Sequence, residues 1–226
     1  FPDTLTNIAY AAFYDNVFLH TVRFGESHTD LTIGMEAFHN CDSLTDLILP
    51  EGLTAMGYRA FGYCENLTTV TIPASLETIR PYRFSDDTSG PFYGCSAMES
   101  VLFNEDPTTI IPHLLEGAGL KKFTVPETVT QIGDYAFRDC KALTDITLPQ
   151  NLSTIGINAF YNCSTLPEIS FPAALTSIAA SAFHNNSALH TVTFADTLAP
   201  LTIDMEAFHG CKALTQLVLP EGLTTI

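Results

Sequence analysis

Apolar and polar positions along this chain recur in a fixed order instead of following one long helical or alternating pattern. An Ala-Phe pair returns at Ala12-Phe13, Ala37-Phe38, Ala60-Phe61, Ala136-Phe137, Ala159-Phe160, Ala182-Phe183 and Ala207-Phe208, and Phe92 and Leu114 fill two degenerate copies. Successive anchors lie 25, 23, 31, 22, 23, 23, 23 and 25 residues apart. Three residues after each anchor comes a small slot, occupied by Asn16, Cys41, Cys64, Cys95, Gly117, Cys140, Cys163, Asn186 and Cys211, so all six cysteines fall there. A Leu or Met follows after three more residues, then an apolar pair such as Val70/Ile72 or Ile146/Leu148, and then a proline such as Pro73 or Pro149. A Leu-x-x-Ile segment, as in Leu152/Ile155, leads to the next anchor.

The period changes within each unit, and that change predicts its elements. Ile146-x-Leu148 alternates with period two and is cut off by Pro149, as in a short half-buried strand. Ile155, Ala159/Phe160 and Cys163 are spaced by threes and fours, which predicts a single helical or 3-10 turn with one apolar face. Asp15, Asn40, Gly94, Asp139, Asn162, Asn185 and Gly210, two residues after the anchor, are types that tolerate the left-handed conformation and end such a turn. A unit of about 23 residues cannot bury its own apolar side, whereas stacked copies share one core.

The predicted fold is therefore an α/β repeat solenoid over residues 1–226, with nine to ten units. It has one parallel β-sheet of short strands, short helical or 3-10 turns opposite, and a column of phenylalanines. Nine coils at roughly 4.8 Å each make a rod or arc about 40 Å long. Irregular units are expected at 84–103 and 104–126. Both ends fall within a unit and no initiator Met is present, so the sequence reads as a fragment of a longer protein.

The unit L-x-x-I-G-x-x-A-F-x-x-C-x-x-L-x-x-I-x-L-P resembles the BspA-like, or treponemal-type, leucine-rich repeats, and does so over essentially the whole chain. The resemblance implies a right-handed superhelix displayed on bacterial, and some protist, surfaces. It also implies adhesion to host proteins or other cells, with no catalytic residues. A secreted or cell-surface location and a protein or glycan partner on host or neighbouring cells follow as expectations.

Composition narrows the chemistry. The formal charge is -16, from 25 acidic and 9 basic side chains, with no basic run, which argues against nucleic-acid and anionic-membrane partners. No stretch approaches the roughly 20 apolar residues of a membrane span, so direct insertion is not expected. G-x-S-x-G, H-E-x-x-H, P-loop and G-x-G-x-x-G motifs are absent, and no enzyme, cofactor or metal is expected. The cysteines, spaced by 23, 31, 45, 23 and 48, form no C-x-x-C pair. Stacked neighbours such as Cys41/Cys64 lie within disulfide reach, yet Asn and Gly in the same slot point to a demand for small volume and to buried free thiols. His39, His184 and His209 share the position after the anchor with Tyr14, Tyr93, Tyr161 and Arg138, which predicts a Tyr/His stripe along a polar rim.

Candidate partner-binding residues come from two places. Positions between or just before the inward strand residues should face outward, and among them are Arg23, Asp46, Ile48, Leu102, Lys122, Asp145 and Val218, on a threonine-rich face. The insertion Ser85–Pro91 carries Asp86 and Asp87, and loops on a rigid scaffold often serve recognition. It lacks the alternating ligands and closing Glu of a calcium loop. The expected function is a non-enzymatic recognition or adhesion segment; the alternative is a rigid spacer displaying another domain, and a weaker third option is a carbohydrate-holding accessory module. Open solenoid ends also predict end-to-end self-association. A longer repeat is present too: His20–Thr54 matches His190–Thr224 at an offset of 170 residues, with 22 of 35 positions identical, among them Glu36/Glu206 and His39/His209.

Overall fold

The structure, a computed structural model, describes residues 1–25, 28–80, 89–196 and 200–226. The chain forms two compact units, Phe1–Asp106 with His113–Leu120, and Pro107–Pro112 with Lys121–Ile226. Strands of the first unit are β1 Asn7–Ile8, β2 Leu31–Ile33, β3 Asp46–Ile48, β4 Leu53–Gly57, β5 Thr69–Ile72, β6 Thr78–Arg80 and β7 Ser100–Phe103. Those of the second are β8 Thr109–Ile110, β9 Lys122–Thr124, β10 Gln131–Ile132, β11 Asp145–Thr147, β12 Thr154–Ile155, β13 Glu168–Phe171, β14 Ser177–Ile178, β15 Thr191–Phe194, β16 Leu201–Ile203, β17 Gln216–Val218 and β18 Leu223–Thr225.

Each unit is a parallel-strand solenoid carrying two ladders, not the one sheet that the repeat predicts. In the first unit they run β1-β2-β4-β6 and β3-β5-β7; in the second, β8-β10-β12-β14-β16-β18 and the shorter groups β9-β11 and β13-β15-β17. The extra ladder is the Leu-x-x-Ile segment. Proline has no N–H to donate, so Pro149 ends the first strand of its coil, and the β-branched Thr154-Ile155 resumes pairing a few residues on. Register is regular, as in Ile132↔Ile155 and Ile155↔Ile178. A register shift falls between Leu31 and Thr32 and again between Leu201 and Thr202, so the 170-residue repeat reproduces its backbone irregularity as well as its side chains.

The helical or 3-10 turn expected opposite the sheet does not form among the described residues. Its place is taken by successive turns with two left-handed residues, two before and two after the anchor. Tyr135 and Asp139 have φ of 60° and 58°, and Asn158 and Asn162 have 52° and 59°. Positive φ at every fourth residue leaves no right-handed run long enough for a helix. The amides divide accordingly. Tyr135, Phe137 and Asp139 donate to Ile157, Ala159 and Tyr161 of the next coil, while Ala136, Arg138 and Cys140 donate to carbonyls three residues back. Left-handed non-glycine residues cost about 1–2 kcal/mol each; the inter-coil amide bonds they permit offset that cost.

The anchors stack as the repeat predicts. Phe13, Phe38 and Phe61 lie 5.0 and 4.9 Å apart with nearly parallel rings, and Phe92 follows at 6.0 Å. In the second unit Phe137, Phe160, Phe183 and Phe208 follow one another at 5.0, 5.0 and 5.3 Å.

One anchor is corrected by a residue. Leu115, not Leu114, holds the anchor position, because His113 and Gly117 carry the paired positive φ that Tyr135 and Asp139 carry around Phe137. Ala118 N–H donates to Leu115, and Gly94 N–H to Gly117, in the pattern of neighbouring coils. The small slot is thus Ala118, which is buried, while Gly117 takes the left-handed site, where a Cβ would come within 2.0 Å of the Tyr93 ring.

Candidate functional site

Three features of the coils carry side chains with chemical potential: the outward ladder face, the ring stripe beside the anchors, and the buried slot. On the outward face the predicted alternation holds in β3, β9 and β13, whereas all three residues of β17 are exposed. In β3 Leu47 is buried while Asp46 and Ile48 are exposed, and β9 repeats the arrangement with Phe123 between Lys122 and Thr124. Register sets Asp46, Thr69 and Ser100 in one row and Ile48, Thr71 and Leu102 in the next. Ile48 and Leu102 are 69% and 51% exposed and share one row, in register with Thr71 between them.

Arg23 precedes this ladder and lines a cleft of about 470 Å³ with His20, Phe24, Asp46, Ile48 and Pro50. In the second unit Lys122 and Asp145 are register partners and form an exposed ion pair at 3.2 Å. Both line a smaller groove of about 350 Å³ with Glu168 and Ser170. Val218, 50% exposed, is in register with Thr193 and, through it, Ser170; those two hydroxyls lie 2.9 Å apart. Asp86 and Asp87 lie outside the described residues.

The ring stripe forms in both units. Tyr14 stacks on His39 at 4.8 Å, and His39 meets Tyr63 at 5.2 Å; Tyr161 stacks on His184 at 5.0 Å, and His184 meets His209 at 4.6 Å. His39 departs from the expected polar rim, being 7% exposed. Burial holds its imidazole below the ordinary histidine value, against the opposing pull of Glu36. At the other end of the chain Glu206 approaches His184, with Oε2 3.6 Å from Nδ1, and His209 Nδ1 lies 3.3 Å from His184 Nε2. This His-Glu-His group was not anticipated from the sequence. The signal was present in the repeat frame: one position after the anchor in adjacent coils for the histidines, and two before it for Glu206.

The buried slot asks for more than small volume. Cys64, Cys95 and Cys163 donate their thiols to the carbonyls of Phe38, Phe61 and Phe137 in the preceding coil at 3.1–3.2 Å, and Asn186 donates its amide to Phe160 at 2.9 Å. In these coils the slot takes a compact donor, whereas Ala118 fills it by size alone. Burial pushes the Cys163 thiol up, and pushes the less enclosed Cys211 up to about 11. These thiols are therefore protonated packing groups at neutral pH.

Two-ladder coils with a phenyl column and a buried donor slot define a leucine-rich-repeat solenoid. The BspA type leucine rich repeat region matches in six copies over residues 1–90, 88–202 and 199–226, and the chain belongs to that family. Among solved structures it is similar to a leucine-rich repeat protein from Bacteroides ovatus, with 21% identity and a TM-score of 0.60 over 100% of this chain and 73% of that one. One from Eubacterium ventriosum is 21% identical, with a TM-score of 0.52 over 98% and 72%. The pneumococcal vaccine antigen PcpA is 17% identical, with a TM-score of 0.52 over 99% and 72%. Comparison with curated proteins gave no match.

Proposed function

We propose that this chain is a non-enzymatic recognition or adhesion segment at a cell surface, holding a protein or glycan partner on the outward faces of its strand ladders. The observation that carries this reading is the row Ile48-Thr71-Leu102, in register on β3, β5 and β7, with two exposed aliphatic side chains and the Arg23–Asp46 cleft beside it. Nothing in the folding of the strand requires those side chains to be apolar, since the buried partners Leu47, Val70 and Ile72 already supply the core. Charged and hydroxyl groups around such a row supply the polar rim of a recognition surface. Family membership and likeness to a protein named as a pneumococcal antigen support placement at a surface.

The test is a binding screen of the chain against host-matrix proteins, glycans and whole cells, repeated with Ile48→Ser/Leu102→Ser and with Arg23→Ala. A ligand that loses affinity by about tenfold or more with either variant supports the assignment. A ligand indifferent to all three substitutions, and to Lys122→Ala, removes the site. Absence of any ligand for the chain, together with a catalytic or anchoring domain in its parent protein, favours the spacer.

A further inference from the structure

Among the described residues, His184, Glu206 and His209 of the second unit each offer one ligand atom within 4.8 Å of the others. We infer that this trio is a binding site for a divalent transition metal of the zinc type, a role separate from the ladder face.

The backbone beneath the trio is fixed. Phe183 and Asn185 donate to Ala207 and His209 at 2.7 and 2.8 Å, and Ser181 donates to Met205, so the coil bearing His184 is pinned to the coil bearing the other two ligands on both sides of the ring. Within the second coil His209 N–H donates to Glu206. Such a frame holds donor atoms before the ion arrives, and most of the ordering cost of a site is then already met by the fold.

Two imidazole nitrogens, His209 Nδ1 and His184 Nε2, lie 3.3 Å apart and share a hydrogen bond whose direction the tautomers set; an ion taken up by either nitrogen replaces the shared proton. The other nitrogen of His184, Nδ1, is buried without a hydrogen-bond partner and faces Glu206 Oε2 at 3.6 Å; one ring gives an ion one nitrogen, so the ion sits on one side of His184 and the remaining ligand closes on it from within 4.8 Å. A tetrahedral zinc ion with bonds of about 2.0–2.1 Å needs ligand atoms about 3.3 Å apart. Glu206, 54% exposed, can adjust to that spacing. Two imidazoles and one carboxylate suit zinc and its neighbours and do not suit calcium or magnesium, which take oxygen shells. Three protein ligands leave a fourth position open to water or to a partner's side chain.

The 170-residue repeat supplies an internal control. In the first unit the equivalent positions are Tyr14, Glu36 and His39, so two ligands are kept and the third is a phenol. Tyr14 stacks on His39 with rings 2° from parallel, which shows that this frame accepts a tyrosine without disruption. His184→Tyr therefore converts the second copy into the first.

The experiment titrates the metal-free chain with ZnCl2 by calorimetry, with CaCl2 and MgCl2 as comparisons, and records the absorption spectrum with Co2+. The expected result is saturable zinc uptake at one site, a tetrahedral cobalt spectrum without thiolate charge transfer, and a zinc-dependent rise in melting temperature. His184→Tyr should weaken zinc binding by about 100-fold or more and abolish the thermal shift, with its metal-free melting near that of the parent. Glu206→Gln, at an exposed side chain, should lose at least about tenfold and decides the matter should the tyrosine variant fail to fold. Absence of saturable zinc binding, thiolate bands in the cobalt spectrum, or full affinity in a folded variant overturns the assignment.

Discussion

The side-chain amide of Asn186 donates to the backbone carbonyl of Phe160 at 2.9 Å, the bond that the Cys163 thiol makes to Phe137 one coil earlier. Both groups supply the slot's donor, although the amide also brings an oxygen, Oδ1, that is buried without a partner. Asn186→Cys, which removes that oxygen and keeps a donor, should be at least as stable as the parent, whereas Cys163→Val, similar in size but without a donor, should cost about 1–3 kcal/mol. Urea denaturation of both variants checks the contrast; equal losses would reduce the slot to a matter of volume.

Phe160 is sandwiched between Phe137 and Phe183 and fully buried, while Phe208 is only partly covered. Phe160→Ala should cost about 3–5 kcal/mol and Phe208→Ala clearly less, since a partly exposed ring forfeits less transfer energy and leaves a smaller cavity. Thermal unfolding of the two variants side by side tests the ranking.

Acid should destabilise the region around His39. Its folded-state pKa lies below the unfolded value near 6.5, so the unfolded chain binds the proton more readily; the contribution is complete above that value and is lost as pH falls through the folded pKa. A proton titration of the His39 ring followed by NMR should show a midpoint below 6.5, and His39→Tyr should flatten the acid limb of the stability profile.

Alkali should act through the thiols. Cys211, pushed up to about 11 against about 8.5 in an unfolded chain, binds its proton more tightly when folded, so stability is intact below about pH 8.5 and declines from there toward about 11. Alkylation of the native chain at pH 8 should be slow at Cys211 and Cys163 and accelerate above about pH 10, with Cys211 leading. Rapid labelling at pH 8 would contradict this.

Much of the architecture is legible in the sequence because residue type and position coincide. Asn40, Asp139, Asn162 and Gly210 announce the left-handed residue after the anchor, and all adopt it. The matching position before the anchor is occupied by Arg59, Tyr135, Ser181 and Glu206, types with no such preference; the amide bonds of the neighbouring coil impose the conformation there. That second left-handed site is what abolishes the predicted helical turn. The second ladder escapes notice because Thr154-Ile155 is too short to display an alternation. The anchor at Leu115 is hidden by its apolar neighbour Leu114 and by one fewer residue before Phe123. Outward placement of Ile48, Leu102, Lys122 and Asp145 follows from period two alone, whereas the approach of Glu206 to His184 depends on turn geometry that the repeat does not reveal.

The ring position beside each anchor tolerates phenol, imidazole or guanidinium, as Tyr14, His184 and Arg138 show, because its neighbours on the backbone carry the inter-coil bonding. A block copied with its own bulge and its own bonding pattern arrives already foldable. One of the two copies is then released to drift, and a single codon change can give it a chemistry that its sibling lacks.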